Sequence, residues 1–399
     1  MTAATQTRVQ NLQGILVPET SINPKEFFLR TRRLWPIAKT LGAFAGFGNT
    51  ENIPMLQTGI LAGISIKVKG DLVITLPTGT AATTSKWPYD LLRAVRFTAN
   101  GQSNLINCSG EHLKARDIMM RGDLNDRGVA RGVGGASPGT STTQGTFSLN
   151  NDTWGVGRNV SAIAANTYTF ELNYYVPVAF DLVSLTGAVF AQTTSTDLNL
   201  QIDYAPQSDL FTLTGTATAT IGNYQMAVEP ILFSIPQGQD GQPIVPDLSS
   251  FHSLIMSPYK QMAVGDNEIR LVGQGVGRQM MRVWGRTVNG TTLTPLPVTR
   301  LNYGNIAWRF GTNDTPEIAN DGAHLAQLNE RVFGSDLATV GGIFVFDFAS
   351  EYAFRDSVDQ GAATELRLLV NIASGVTLNA PTFEYVQEIL FPGSVAGIA

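Results

Sequence analysis

Three histidines, one cysteine and 32 carboxylates are the raw material for chemistry in this 399-residue chain, and their spacing arms none of the common mechanisms. His112, His252 and His324 sit in no Gly-x-Ser-x-Gly elbow, no His-Glu-x-x-His pair and no His-x-His pair. Neither a serine nucleophile nor a zinc-activated water therefore has its usual partners. His112 follows a Ser-Gly turn beside Glu111, an arrangement open to acid/base work; the bland expectation is a strand-edge histidine hydrogen-bonded to a loop. Gly273-Gln-Gly-Val-Gly277 and Gly132-Val-Gly-Gly135 lack the Gly-x-Gly-x-x-Gly spacing that opens a helix onto a phosphate, and read as bulge or turn glycines. Arg121-Gly-Asp123 is a formal adhesion tripeptide, cheap to obtain with 40 Gly and 27 basic residues. No pair of carboxylates is singled out for glycosidase chemistry. Cys108 has no partner for an intramolecular disulfide, and no Cys/His spacing resembles a zinc site. These residues argue against an enzyme and imply no cofactor and no metal.

The stronger candidate is a surface. Phe27, Phe28, Leu34, Trp35, Ile37 and Leu41 alternate with Lys25, Arg30, Arg32, Arg33 and Lys39, which gives one segment an apolar side and a basic side. Trp and Phe suit the acyl/headgroup boundary of a membrane, and each Lys or Arg near an anionic surface is worth roughly 1 kcal/mol. Lys25, Phe27, Phe28, Arg30, Arg32, Arg33, Leu34, Trp35 and Lys39 are the membrane-facing candidates. The competing reading is an arm packed under the first β-domain or against a neighbouring subunit, its charges solvated. Residues 1–50 hold six Lys/Arg and two Glu, a balance of +4, against -9 for the rest of the chain. That asymmetry favours an N-terminal contact with something anionic and disfavours a body that binds nucleic acid over its whole surface.

The elements that must position this arm read as β-structure. Short alternating runs rich in β-branched and aromatic residues recur from about residue 53: Ile60 to Val68, Leu72 to Leu76, Ala94 to Thr98, Tyr168 to Tyr175, Leu198 to Tyr204, Phe211 to Ile221, Ile269 to Val272, Met281 to Val288, Ile306 to Phe310, Ile343 to Phe348, Leu366 to Ile372 and Phe383 to Leu390. Turn signals such as Asn100-Gly101, Asn289-Gly290 and Gly341-Gly342 separate them. Helix is expected only over Pro24 to about Gly42, with Pro36 kinking or ending it, around Asp181 to Ala191, and over Asp321 to Phe333 behind an Asp321 cap. Gly128 to Asn151, rich in Gly, Ser and Thr, reads as a long loop.

The run Phe170-Glu-Leu-Asn-Tyr-Tyr-Val-Pro-Val-Ala-Phe180 aligns without gaps on Phe344-Val-Phe-Asp-Phe-Ala-Ser-Glu-Tyr-Ala-Phe354, an offset of 174. Thr196-Asp-Leu-Asn-Leu-Gln-Ile-Asp-Tyr-Ala205 aligns on Thr364-Glu-Leu-Arg-Leu-Leu-Val-Asn-Ile-Ala373, an offset of 168. Two blocks in the same order at nearly the same offset indicate a duplicated β-domain of about 170 residues. The division is then an arm over 1–50, a first unit over 51–225 and a second over 226–399, with the junction near Gly222 to Pro230.

Composition sets the class of surface. Only 15% of residues are Asp, Glu, Lys or Arg, against about 25% in a typical globular protein, so part of the outside is expected to be covered by other protein. The N-terminus lacks a signal-peptide pattern and no run approaches about 18 apolar residues, which leads to the expectation of synthesis in the cytoplasm.

Two similar β-sandwiches behind a basic amphipathic arm resemble the double jelly-roll major capsid proteins of membrane-containing icosahedral viruses, of the tectivirus type. Tyr174-Tyr-Val-Pro-Val-Ala-Phe180 followed by Ser184-Leu-Thr-Gly-Ala-Val-Phe-Ala191 is similar to the strand and short helical crossover of that family's first jelly roll. Ser109-Gly-Glu-His-Leu113, Ile235-Pro-Gln-Gly-Gln-Asp-Gly241 with Asp247-Leu-Ser249, and Leu34-Trp-Pro-Ile37 fall at similar places in the order. Residues 115–165 and 290–320 carry no resemblance. The resemblance implies an all-β fold of two tandem eight-stranded jelly rolls, assembled as homotrimers into pseudo-hexagonal capsomers of a bacteriophage virion. The implied partners are neighbouring capsomers, an internal lipid membrane reached by the arm, and vertex and minor capsid proteins, with no sequence-specific nucleic-acid binding and synthesis in the host cytoplasm. The alternative from another class is a jelly-roll carbohydrate-binding or carbohydrate-cleaving protein, for which Trp87, Trp154, Trp284 and Trp308 are the available platform.

Overall fold

The computed structural model describes residues 8–10, 16–18, 24–99, 102–121, 131–132, 162–192, 197–238, 241, 243–245, 250–259, 262–271, 277–290, 294–310, 318–333, 337–349, 357–360 and 366–392. The Gly128 to Asn151 loop lies outside this set except for the Arg131–Gly132 strand, as do Trp154, Gly122, Asp123 and most of the 273–277 glycine run.

Each half lays down eight principal strands and one long helix in the same order. In the first half the strands are Lys39–Leu41, Thr50–Pro54, Ile60–Thr75, Leu92–Ala99, Gln102–Cys108, then helix Gly110–Arg121, then Asn166–Val176, Leu198–Tyr204 and Thr218–Phe233. In the second they are Ser250–Tyr259, Gly265–Arg270, Gln279–Asn289, Tyr303–Phe310, Ile318–Asp321, helix Gly322–Phe333, Ile343–Asp347, Leu366–Ile372 and Thr382–Pro392. Pairing follows the same plan in both. Ile60–Thr75 lies between Asn166–Val176 and Thr218–Phe233, as Gln279–Asn289 lies between Ile343–Asp347 and Thr382–Pro392. Leu198–Tyr204 lies between Thr50–Pro54 and Leu92–Ala99, as Leu366–Ile372 lies between Gly265–Arg270 and Tyr303–Phe310. Both blocks of the sequence repeat therefore fall on topologically equivalent strands, and Leu198–Tyr204 and Leu366–Ile372 share the same strict alternation of buried and half-buried residues. This is the two-sheet architecture of a jelly roll, built twice, its inner faces interdigitating.

The halves are joined through a sheet. Gln102–Cys108 pairs in parallel with Ser250–Tyr259, Leu254 opposite Ile106 and Ile255 opposite Asn107, so one ten-stranded sheet runs through both units. The core of the first unit takes in Leu254, Trp284, Ile343, Val345 and Val386 from the second, while a separate core around Trp308, Phe344, Phe383 and Leu368 fills the second. Thr218–Phe233 runs through residue 225 and pairs with Ile60–Thr75 to its end at Phe233.

Local structure departs from the sequence expectations at several places, among them the Phe211 to Ile221 run, which is split into strands Phe211–Leu213 and Thr218–Phe233. The arm helix covers only Pro24–Arg30. Beyond it Thr31 donates its hydroxyl to the Ser234 carbonyl, 2.7 Å, and the Arg32 N–H donates to Ser234 Oγ, 2.9 Å, so the chain is drawn out into strands Arg33–Leu34 and Lys39–Leu41 on the edge of Thr218–Phe233. The 181–191 segment forms turns instead of a helix: Asp181 Oδ1 accepts the N–H groups of Val183 and Ser184, 2.7 and 2.6 Å, and Leu185 and Gly187 take positive φ. Ile60–Thr75 is one continuous strand with no break at Lys69-Gly70. His112 lies on helix Gly110–Arg121, not on a strand edge. That helix is buried on every side, so its polar residues imitate a solvated face that does not exist. The second-half helix forms where expected, with Asp321 Oδ1 accepting the Ala323 N–H at 2.8 Å.

Candidate functional site

Both long helices open on Gly-x-His-Leu, Gly110-Glu-His-Leu113 and Gly322-Ala-His-Leu325. Each glycine is crowded: a methyl at Gly110 would sit 2.2 Å from the Tyr89 carbonyl oxygen, and one at Gly322 would sit 2.8 Å from Tyr303 Cβ. The close approach lets each helix start directly against its own unit. What then covers the far side of the helix differs between the halves.

Helix Gly110–Arg121 is covered by the outer face of the second unit's sheet. Trp284 Nε1–H donates to His112 Nδ1 at 3.2 Å. Around this contact lie two buried charge clusters. In the first, Arg286 Nε and Nη2 reach Glu384 Oε2 at 2.9 Å, with Glu111 at 3.5 Å and Asp90 at 3.6 Å, while Lys86 stands 4.0 Å from Glu384. In the second, Glu388 accepts from Arg116 Nε at 2.7 Å and from Arg282 Nη1 at 3.3 Å, and its Oε1 lies 2.9 Å from His252 Nε2. Arg282 continues to Asp347 at 3.0 Å, and His252 Nδ1 lies 2.7 Å from the Pro177 carbonyl.

Burial alone would raise both glutamates. The adjoining Arg286, His112 and Lys86 instead hold Glu384 well below the usual carboxylate range, and Arg116, Arg282 and His252 do the same for Glu388. Asp90 goes the other way, raised by burial that Arg286 and Lys86 only partly offset. Burial disfavours the Arg286 cation, but Glu384, Glu111 and Asp90 outweigh it and raise its affinity for the proton. This is a seam between two units, built from buried charges that pair across it. Nothing in its spacing was legible in sequence, because the partners lie on strands and a helix far apart in the chain. The one available signal was Gly-x-His-Leu: carried across the duplication, it would have placed the first helix.

The arm candidates divide. Phe27 is fully buried among Ile60, Ala62, Ala179, Leu185, Ala188 and Ile244. Leu34 is half-buried against the first core. Phe28 is 40% exposed and Trp35 72%, with Ile37, not among the nine candidates, at 94%. Arg30 pairs with Glu26 at 3.0 Å, Arg33 stacks on the Trp35 ring at 4.0 Å and stands 3.6 Å from Glu229, Arg32 donates to the Leu29 and Thr31 carbonyls, and Lys39 is an exposed strand residue. Lys25 belongs to the helix Pro24–Arg30. The arm is thus anchored through Phe27 and Ser234 and shows Trp35, Ile37, Arg30, Arg32, Arg33 and Lys39 outward. Among the described residues no helix is long and apolar enough to cross a membrane, and no group of His, Cys, Asp and Glu is placed to hold a metal ion.

Two tandem jelly rolls sharing one sheet and a charged seam define the class: a double jelly-roll protein. Residues 49–229 match the family model described as P3 major capsid protein N-terminal. Among solved structures the chain is similar to the MCP of STIV, the Sulfolobus Turreted Icosahedral Virus, with a TM-score of 0.62 at 14% identity over 92% of this chain and 99% of that one. It is also similar to PBCV-1 VP54, with a TM-score of 0.53 at 13% identity over 93% of this chain and 97% of that one. At such identities the likeness establishes the double jelly-roll fold. No curated protein matches the chain by sequence.

Proposed function

We propose that the chain is the major capsid protein of an icosahedral virus, a structural subunit and not an enzyme. The observation that carries this is the duplication: two eight-stranded units of one plan, locked side by side, the first of them matching the P3 capsid-protein model. Three copies supply six similar units, and such a ring tiles a shell as a pseudo-hexagonal capsomer. The proposed division is an arm over 1–50, a first jelly roll over 51–225 and a second over 226–399, and the pairing of Thr218–Phe233 with Ile60–Thr75 to its end supports keeping that whole strand with the first. The protein resides in the virion, meeting neighbouring capsomers at its sides and vertex and minor capsid proteins where the lattice changes. The arm's exposed Trp35 and Ile37 beside Arg30, Arg32 and Lys39 support contact with an anionic internal membrane. A carbohydrate platform is disfavoured: Trp87, Trp284 and Trp308 are fully buried in the two cores and the seam.

Light scattering of the purified protein at micromolar concentration should return a trimer; monomer alone would overturn the capsomer reading. For the arm, Trp35→Ala with Ile37→Glu and Arg32→Glu should leave the trimer intact and abolish co-sedimentation with anionic phosphatidylglycerol vesicles. Undiminished co-sedimentation would assign those residues to protein contacts.

A further inference from the structure

Two of the three histidines are buried in the seam, and their ring nitrogens face opposite kinds of partner. His252 stands on strand Ser250–Tyr259 with its side chain fully buried. Its Nδ1 lies 2.7 Å from the Pro177 carbonyl oxygen and its Nε2 lies 2.9 Å from Glu388 Oε1. His112, equally buried on helix Gly110–Arg121, receives the Trp284 Nε1–H on its Nδ1 at 3.2 Å, and its Nε2 stands 3.6 Å from Glu384 Oε2. We infer that the seam is a two-histidine pH gate, locked only while His252 holds a proton on both ring nitrogens and His112 holds one on Nε2 alone.

The chemistry of the partners sets both states. A carbonyl oxygen only accepts, and so does an ionised carboxylate. Arg116 and Arg282 both donate to Glu388 and hold it ionised, so it has no proton to offer His252. A neutral imidazole there would set a bare nitrogen lone pair against an oxygen lone pair on one side or the other, whereas the imidazolium donates to both. Pro177 follows the first unit's strand Asn166–Val176, and Glu388 lies on the second unit's Thr382–Pro392 and receives the first unit's Arg116, so the two N–H groups tie the units together. The ring has no room to turn away. Phe180 packs edge-on at 5.9 Å, and a methyl on Gly187 would sit 2.6 Å from His252 Cβ. At His112 the logic is reversed. An indole N–H only donates, so Nδ1 must be bare, and a proton added there would point at the Trp284 hydrogen.

Among the described residues, His252 faces Glu388, with Arg116 and Arg282 on the far side of that carboxylate and Asp347 beyond Arg282. His112 faces Glu384, with Arg286 and Lys86 around it and Glu111 and Asp90 on Arg286. Of these residue types only histidine ordinarily changes charge close to neutrality. In the unfolded chain a histidine releases its proton near about pH 6.5. Above that pH the seam holds one proton more than the unfolded chain, at His252, so stability falls as pH rises until that proton leaves. Below it the seam holds one fewer, at His112, so stability falls as pH drops. The gate is therefore tightest near neutrality, and each limb changes the folding equilibrium by up to about tenfold per pH unit.

The protons are read directly in the full wild-type chain labelled with nitrogen-15 histidine, by solid-state nitrogen resonance of sedimented protein at about pH 8, above the ordinary histidine range. The exposed His324 is identified as the ring whose signals His324→Gln lacks. Of the two rings left, one should show both nitrogens protonated and the other one protonated and one bare; two neutral rings or two imidazolium rings would overturn the inference. The gate is read by urea unfolding at one protein concentration between about pH 5 and pH 9, spanning both sides of the histidine range. The wild type should be most stable near neutrality, His252→Gln should lose the alkaline limb and keep the acid one, and His112→Gln should do the reverse. A wild-type profile without an alkaline limb, or an alkaline limb that survives in His252→Gln, sinks the gate. Should either seam variant fail to fold, the wild-type nitrogen signals and wild-type profile still decide.

Discussion

Helices Gly110–Arg121 and Gly322–Phe333 begin with the same motif, follow the same strand and end at the same place in their units, yet one is buried on all sides and the other is amphipathic. The first carries Glu111, Lys114, Arg116 and Asp117 into the interior. The second carries Leu328 and Val332 at the surface. Polarity and burial are thus inverted relative to the usual rule, and the difference is what covers each helix. A charged side chain is tolerated inside when its partner is supplied by another element with good geometry, and removing one partner strands the other at a cost far above the pair's net worth. In the buried clusters the partners come from different elements, so the charges meet only when sheet and helix are packed together.

This contrast is broken most severely by acid, which acts on both clusters at once. Glu384 and Glu388 are held below the unfolded carboxylate value of about 4.3, so their contribution is fully present at neutral pH and is lost as pH falls below about 4 and toward their folded values. Asp90, raised by burial, acts in the opposite sense and offsets part of the loss. Thermal melting followed from pH 7 down to pH 3 should show a steep fall in Tm below about pH 4; a flat profile would deny the seam its role. Next in size is the pair Arg282→Ala and Lys67→Ala, two cations at the same register position of the duplicated sheet. Arg282→Ala leaves Glu388 and Asp347 short of a buried partner and should cost about 3–5 kcal/mol in urea unfolding. Smallest is Lys67→Ala, which removes an exposed pair with Glu171 and should change the stability of the dissociated chain by less than about 1 kcal/mol. Equal costs at the two positions would erase the distinction between covered and uncovered sheet faces.

Much of the fold was readable because alternation is a local property. The segments Leu198–Tyr204 and Leu366–Ile372 announce themselves by period, and their kinship by aligned Leu, Leu and Ala. Strands at Thr50–Pro54 and Gln102–Cys108 were missed because Asn, Gln, Glu and Ser dilute the pattern where a neighbouring strand supplies the hydrogen bonds. The arm was legible as amphipathic and basic but not as extended chain, since its course past Arg30 is set by Ser234, 202 residues away from Arg32. Phe27 and Trp35 look alike as aromatic residues of one segment; only packing separates the anchor from the exposed ring.

The sequence by itself determined the number of units, their all-β character and the charge asymmetry between arm and body, because strand period, internal repetition and residue charge are carried by neighbours along the chain. The tertiary structure alone decided that His112, Arg116, Arg282, Arg286, Glu384 and Glu388 meet in one seam. Electrostatic partnership depends on distances of a few ångströms in a low-dielectric interior, and residues separated by some 270 positions, such as Arg116 and Glu388, acquire such a distance only when two sheets and a helix have packed.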